Sequence, residues 1–155
     1  MITIQKYVRA QSLEEAWTLN QNKANRVLGG MLWLRLGKGS VNTAIDLSDL
    51  GLDTIEETDS QFSIGAMVTL RDLELHEGLN SYTGHAISNA VKDIVGVQFR
   101  NMATVGGSIW GRFGFSDVLT VWDPPSGQSP DPGSRCSASG KRRQTWEPER
   151  KRGAS

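Results

Sequence analysis

Two glycine pairs carry the chemistry that this chain can offer. The first stands in Leu28-Gly29-Gly30-Met31-Leu32-Trp33, the second in Ala103-Thr104-Val105-Gly106-Gly107-Ser108. Without a Cβ, glycine lets backbone N–H groups come close to a ligand, and such groups at a turn before a helix suit a phosphate. The second pair belongs to the stretch Arg100–Asp117, RNMATVGGSIWGRFGFSD, which holds Gly106, Gly107, Gly111 and Gly114 and ends in Ser116-Asp117. Neither pair fits G-x-G-x-x-G or G-x-x-x-x-G-K-[ST], so neither a Rossmann fingerprint nor a P-loop is supported. Taken singly, a Gly-Gly is first of all a turn.

The elements that must position these pairs follow from pattern. Ser12-Leu13-Glu14-Glu15 matches a capping box, and Leu13, Ala16, Trp17 and Leu19 lie on one helical face, which predicts a helix near 13–21. RVLGG reads as a buried strand entering a tight turn, MLWLRLG as a short helix ending at Gly37, and TAIDLS as a strand. In TIEETDSQFSIGAM two strand-like runs flank Glu57-Thr58-Asp59-Ser60 as in a hairpin. TLRDLELHEGL predicts a helix with Thr69 as N-cap, Asp72 in its first turns and Gly78 near its stop. HAISNAVKDIVG places Ile87, Ala90, Val91, Ile94 and Val95 on one helical face. The order predicts a mixed α/β or α+β body over residues 1–120.

Composition sets the limits. The 155 residues carry a net charge of zero and one cysteine, Cys136. A single thiol excludes a disulfide framework or a multi-thiolate cluster within this chain, and it fits a reducing cytosol. The N-terminus lacks an apolar signal core, and no apolar run approaches the roughly 20 residues that span a bilayer. The reading is a cytoplasmic protein. The neutral total hides a partition: residues 1–120 sum to −3 and residues 121–155 to +3. All five prolines fall beyond residue 120, in a segment nearly free of aliphatic residues. Such a segment cannot bury enough apolar surface to order itself, so 121–155 is expected to be a disordered Pro/Arg-rich tail. GKRRQTWEPERKR could touch nucleic acid through Trp146, but acidic residues in the same tail dilute its field and argue against that partner.

The remaining chemistry-bearing residues have plain readings. His76 and His85 lack metal-ligand spacing and read as surface histidines. Glu56-Glu57-Thr58-Asp59 reads as a solvated loop. Trp17 reads as core, while Trp33 and Trp110 flank the glycine pairs and suit either packing or a cofactor. Cys136 lies in the tail.

Taken together, the two stretches and the segments between them resemble the FAD-binding subunit or domain of the molybdenum hydroxylases, the xanthine dehydrogenase and carbon monoxide dehydrogenase flavoprotein family. The resemblance rests on Ser12–Ala16, Leu28–Leu34, Ile45–Leu50, IGAMVTLRDLE at 64–74 and QFRNMATVGGSI…SD at 98–117, in order over nearly all of 1–120. It implies two small α/β subdomains of a PCMH-type fold, the second incomplete here, with FAD extended between them. The first glycine turn would hold the pyrophosphate through Leu28, Gly29, Gly30, Met31, Leu32 and Trp33. The second set would be Ala103, Thr104, Gly107, Ser108, Ser116 and Asp117, with Asp117 accepting from ribose or amide donors. Met31-Leu32 replaces the family's Thr-Asp, Ser108 its Asn, and a residue near Gly114 its proline.

The resemblance also implies partners: a molybdenum-cofactor subunit, a [2Fe–2S] subunit and, as acceptor, NAD. No catalytic acid or base is identifiable in this chain. After SDVLTV the family's strands are replaced by the proline-rich tail, which we read as a change of reading frame or an aberrant gene end. That replacement is expected to leave Ile94, Val95, Ile109 and Val118 uncovered and FAD binding weak or lost. Two other readings stay open: an inactive remnant of such a subunit, and a flavin oxidase of the same scaffold without a molybdenum partner.

Overall fold

The computed structural model describes residues 2–59, 61–111, 118 and 137–138. Strand β1 (Ile2–Arg9) is followed by helix α1 (Leu13–Asn20), strand β2 (Arg26–Val27) and strand β3 (Gly39–Asp46). These strands form one parallel sheet in the order β1-β3-β2. Ser12 caps α1 by accepting from the Glu15 N–H at 3.1 Å, while the Glu15 carboxylate accepts from the Gln11 N–H at 2.8 Å. The box thus closes one residue earlier than the motif implies. Helix α1 packs through Ala16 and Leu19 on Ile45 and Ala10, and Leu28, Val41 and Ala44 form a second small cluster with Met31 and Leu34.

The next half begins with the antiparallel hairpin of β4 (Ile55–Thr58) and β5 (Gln61–Ile64). Ser137–Ala138, as β6, lies parallel to β5. Of the tail expected to be disordered, these two residues alone are described. Helices α2 (Leu70–Leu75), α3 (Glu77–Tyr82), α4 (Ala86–Val91), α5 (Val97–Arg100) and α6 (Val105–Gly111) complete this half. Its core is the largest cluster: Phe62, Ile64, Val68, Leu70, Leu73, Leu79, Ile87, Val91 and Val105, joined by Val118. Leu32, from the first glycine loop, is buried in the same cluster. The outcome is a mixed helix-and-strand fold of small sheets.

Several expectations change for identifiable reasons. Strand β1 was not expected; its side chains are mostly exposed, so it shows little of the apolar alternation by which strands are recognised. Arg26 and Val27 are exposed, and the buried residue of RVLGG is Leu28. MLWLRLG forms only a 3-10 turn, Leu34–Leu36, because Met31 sits at φ +56° and breaks helical phasing. The helix expected across 69–79 is interrupted at His76, whose ψ of 106° ends α2. His76 Nδ1 then accepts from the Leu79 N–H at 3.1 Å, and its ring packs edge-on to Phe62. His76 is thus a half-buried cap, while His85 is exposed as expected. Gly78 lies inside α3 and stops nothing.

Helix α4 ends at Val91, and Val95 adopts φ +52° before Gly96. Gly106-Gly107 opens α6 and is not a turn. Trp17 is 58% exposed, so it is not core; alanine makes the close contact of α1 with the sheet. Val118 is buried, and Ile94 and Ile109 pack on the core, so of the four residues expected to be uncovered only Val95 is largely exposed.

Candidate functional site

The two halves meet at a cleft of about 490 Å³. One wall follows the carboxyl ends of the parallel strands β2 and β3, where open α/β sheets place their ligands. Gly29 and Gly30 come from the end of β2, and Leu47, Ser48, Leu52 and Asp53 from beyond β3. The facing wall is Met67, Thr69 and Asp72 at the start of α2, with Met102 and Thr104 after α5.

Backbone hydrogen bonding separates the glycine pairs. Leu28 N–H donates to the Ile45 carbonyl at 2.8 Å, closing the end of the sheet. Among the described residues, the next four N–H groups, of Gly29, Gly30, Met31 and Leu32, have no protein acceptor. Buried or half-buried N–H groups normally find a partner, and successive free ones in a turn make an anion-binding concavity. Met31 at φ +56° supplies the left-handed step in this turn, and Leu32 anchors it in the large core. Met31 and Leu32 thus give this turn apolar side chains that pack inward, while its backbone donors stay in place.

At the second pair every N–H of the first turn is taken. Val105 N–H donates to Val68 O at 2.9 Å, Gly106 N–H to Ala66 O at 2.8 Å, and Ser108 N–H to Thr104 O at 3.0 Å. Gly107 N–H donates to Thr104 Oγ1 at 3.2 Å. These glycines are needed for contact. A Cβ on Gly106 would come within 2.7 Å of Ala66 O, and one on Gly29 within 2.9 Å of Thr104 Oγ1 and 3.8 Å of the Gly107 Cα. A Cβ on Gly30 would overlap the Met102 carbonyl outright. The loops therefore pack on each other, backbone to backbone.

Of the expected residues, Gly29, Gly30 and Thr104 line the cleft. Leu28, Leu32 and Ala103 are buried behind it, Met31 packs with Leu28, and Trp33 is exposed. Gly107 abuts Gly29, and Ser108 Oγ donates back to Thr104 O at 3.0 Å. Ser116 and Asp117 lie outside the described residues. Ser48, Asp53, Met67, Thr69, Asp72 and Met102 were missed, although most fall inside IDLSDL and IGAMVTLRDLE.

The polar lining is prepared locally. Thr69 and Asp72 complete a capping box, with Thr69 N–H and Oγ1 both donating to Asp72 Oδ2 at 3.0 and 2.6 Å. Ser48 N–H and Oγ donate to Asp46 Oδ1 at 3.0 and 2.6 Å, and the Tyr7 hydroxyl donates to Asp46 Oδ2. Burial works to raise the Asp46 carboxyl, but bonds from Ser48 and Tyr7, with the Arg9 charge, hold it below its usual range. No group of three metal-ligating side chains occurs among the described residues. Nor is any described helix long and apolar enough to cross a membrane.

Comparison with known proteins places the family and the fold. Residues 2–123 match the model of the FAD binding domain in molybdopterin dehydrogenase. Carbon monoxide dehydrogenase from Hydrogenophaga pseudoflava, in a form lacking the Mo-pyranopterin moiety, superimposes with TM-score 0.54 at 29% identity, over 67% of this chain and 38% of that one. Reconstituted CO dehydrogenase from Oligotropha carboxidovorans gives 0.59 at 26%, over 68% and 39%. Quinoline 2-oxidoreductase from Pseudomonas putida 86 shares the fold at 23% identity and TM-score 0.56, over 67% and 38%. No curated protein matches the chain significantly. The chain thus spans about two fifths of the length of these structures. With the family model matched over most of its length, this chain belongs to the FAD-binding domains of molybdopterin dehydrogenases, and FAD is the cofactor of its family.

Proposed function

We propose that this chain supplies the diphosphate seat of an FAD-dependent component of a molybdenum-containing hydroxylase or dehydrogenase. The observation that carries the reading is the run of four N–H groups, Gly29 to Leu32, that have no acceptor among the described residues, in a loop whose Gly29 and Gly30 line a cleft at the carboxyl ends of parallel strands. Such donors match phosphate oxygens and need no side-chain charge, which suits a cleft lined, among the described residues, by no lysine or arginine. Thr104, Ser48 and Asp53 offer hydroxyl and carboxylate partners to the sugar hydroxyls that flank a diphosphate. FAD, when bound, accepts and passes on electrons; the role of this chain is to bind and orient it.

The electron route is part of the proposal. One cysteine cannot by itself ligate an iron–sulfur cluster, so in this reading the clusters and the molybdenum centre lie outside this stretch of chain and deliver electrons to FAD and onward to NAD or another acceptor. A xanthine dehydrogenase-like and a carbon monoxide dehydrogenase-like system are equally compatible with the fold. Ser116 and Asp117, which lie outside the described residues, remain part of the proposed cofactor set.

The test is titration of the purified chain with FAD, read by flavin fluorescence. We expect saturable but weak binding, with Kd on the order of 10 μM to 1 mM, about −7 to −4 kcal/mol. Absence of binding at millimolar FAD would overturn the reading in favour of an inactive remnant. Stoichiometric binding below micromolar protein would show that the part of the relatives' chains that residues 2–123 do not match is dispensable.

A further inference from the structure

We propose that Arg100 is a positioning residue for the cleft, holding its far wall together from behind through Glu74; this rests on the diphosphate reading above. The wall consists of two segments, the start of α2 with Thr69 and Asp72, and the stretch Met102–Thr104. At the cleft they are joined by backbone: Leu70 N–H donates to Ala103 O at 2.9 Å, and Thr69 bridges Thr104. Behind the cleft, beside the shared apolar packing of Leu70, Leu73 and Phe99, a charged side chain also joins them. Arg100, 6% exposed, donates through Nε to Glu74 Oε2 at 2.7 Å and through Nη1 to Ile94 O at 3.1 Å.

The chain geometry makes this pairing consequential. Glu74 lies on α2, two residues beyond Asp72. Arg100 ends α5, two residues before Met102, and Met102 and Ala103 N–H both donate to Phe99 O at 3.0 and 2.8 Å. The ion pair therefore fixes the distance between α2 and the turn that carries Met102–Thr104. Those three residues meet the first glycine loop, since side chains on Gly29 and Gly30 would strike Thr104 and Met102. A shift of the turn would move the loop whose N–H groups form the phosphate seat. The planar guanidinium fork addresses a carboxylate and a carbonyl together in a fixed geometry that a lysine ammonium does not reproduce. Arg71, also bonded to Glu74 at 2.7 Å, lies on α2 itself and cannot bridge to α5.

The test uses the full chain with ADP as the diphosphate probe, Kd being measured well below each variant's Tm. Arg100→Leu and Glu74→Gln are each expected to weaken ADP binding about five- to tenfold, and Arg100→Lys about threefold. The two pair variants change local charge in opposite directions. A purely electrostatic effect on an anionic ligand would make Glu74→Gln bind more tightly, and that result would overturn the proposal. Leu73→Ala, buried in the same core but absent from the cleft, should lower Tm while leaving Kd within about twofold. Equal losses in Leu73→Ala and Arg100→Leu would reduce Arg100 to a stability residue and overturn it too. The double variant should bind no worse than Arg100→Leu alone.

If the unaltered chain binds neither ADP nor FAD, the functional reading fails and amide exchange decides the positioning claim. Leu70 and Val105 should then exchange faster in Arg100→Lys and Glu74→Gln than in Leu73→Ala, with Leu28 and Asn42 unchanged. No difference at Leu70 and Val105 would overturn the claim.

Discussion

Gly29-Gly30 and Gly106-Gly107 are the same dipeptide on facing surfaces, and they do different work. Among the described residues, the first leaves its own N–H groups, and the two that follow, without acceptors; the second has each N–H bonded to Ala66 or Thr104. In the proposed reading the first pair is the one that holds an anion. The second is small so that α6 can start against Ala66 and so that the first loop can reach Thr104. A glycine pair in a sequence therefore shows that something comes close, and hydrogen-bond accounting shows whether it is a ligand or another piece of backbone.

Substitution should separate these roles. The largest effect is expected at Gly30→Ala, whose methyl would overlap the Met102 carbonyl, a backbone atom that cannot rotate away. We expect about 3 kcal/mol of lost stability and loss of FAD binding with it, measured by denaturant unfolding and flavin titration. A well-folded Gly30→Ala chain would show that the loops are not in contact.

Gly106→Ala comes next. Its methyl would press on Ala66 O at 2.7 Å, costing about 2 kcal/mol, and alanine's better helix propensity returns up to about 1. The net cost should be about 1 kcal/mol, with FAD affinity of the folded chain unchanged. A large affinity loss at unchanged stability would place ligand against the second pair and break the comparison.

Acid should loosen the wall that joins the pairs. Burial works to raise the Glu74 carboxyl, but bonds and charge from Arg71 and Arg100 outweigh it and hold it below its usual range. A carboxyl depressed on folding stabilises the native state above its unfolded value, about 4.3 for glutamate, and that stability is lost as pH falls through the folded value. Stability followed from pH 6 to pH 3 should fall less steeply in Glu74→Gln. An unchanged slope would deny the ion pair its part.

The smallest effect is expected at Gly78→Ala. The methyl would meet only the carboxylate end of the exposed Glu57 side chain, which can swing aside, and a helix interior favours alanine by up to about 1 kcal/mol. Stability should be unchanged or higher, with FAD affinity unaffected.

Much of this was legible in the sequence. Ser12 and Thr69 announced their helices through capping chemistry, the hairpin announced itself through the polar Glu57-Thr58-Asp59-Ser60 between two strand-like runs, and TAIDLS read as a strand that the structure places as the end of β3. The segments quoted for the family resemblance contain most of the cleft lining, because ligand-facing residues sit where the chain must turn. What was not legible depends on tertiary contact. Nothing local shows that His76 will break one helix to cap another. The exposed side chains of β1 hide a strand that only pairing with β3 defines. That Gly106-Gly107 would open a helix follows from acceptors on Ala66 and Val68, nearly forty residues away in sequence.

The most direct test is an NMR titration of the isotopically labelled chain with ADP, following backbone amides. The account predicts that the Gly29, Gly30, Met31 and Leu32 amides shift first and furthest, and that Gly106 and Gly107, bonded to Ala66 and Thr104, move little. Large shifts at Gly106 and Gly107 with the first loop silent would contradict it.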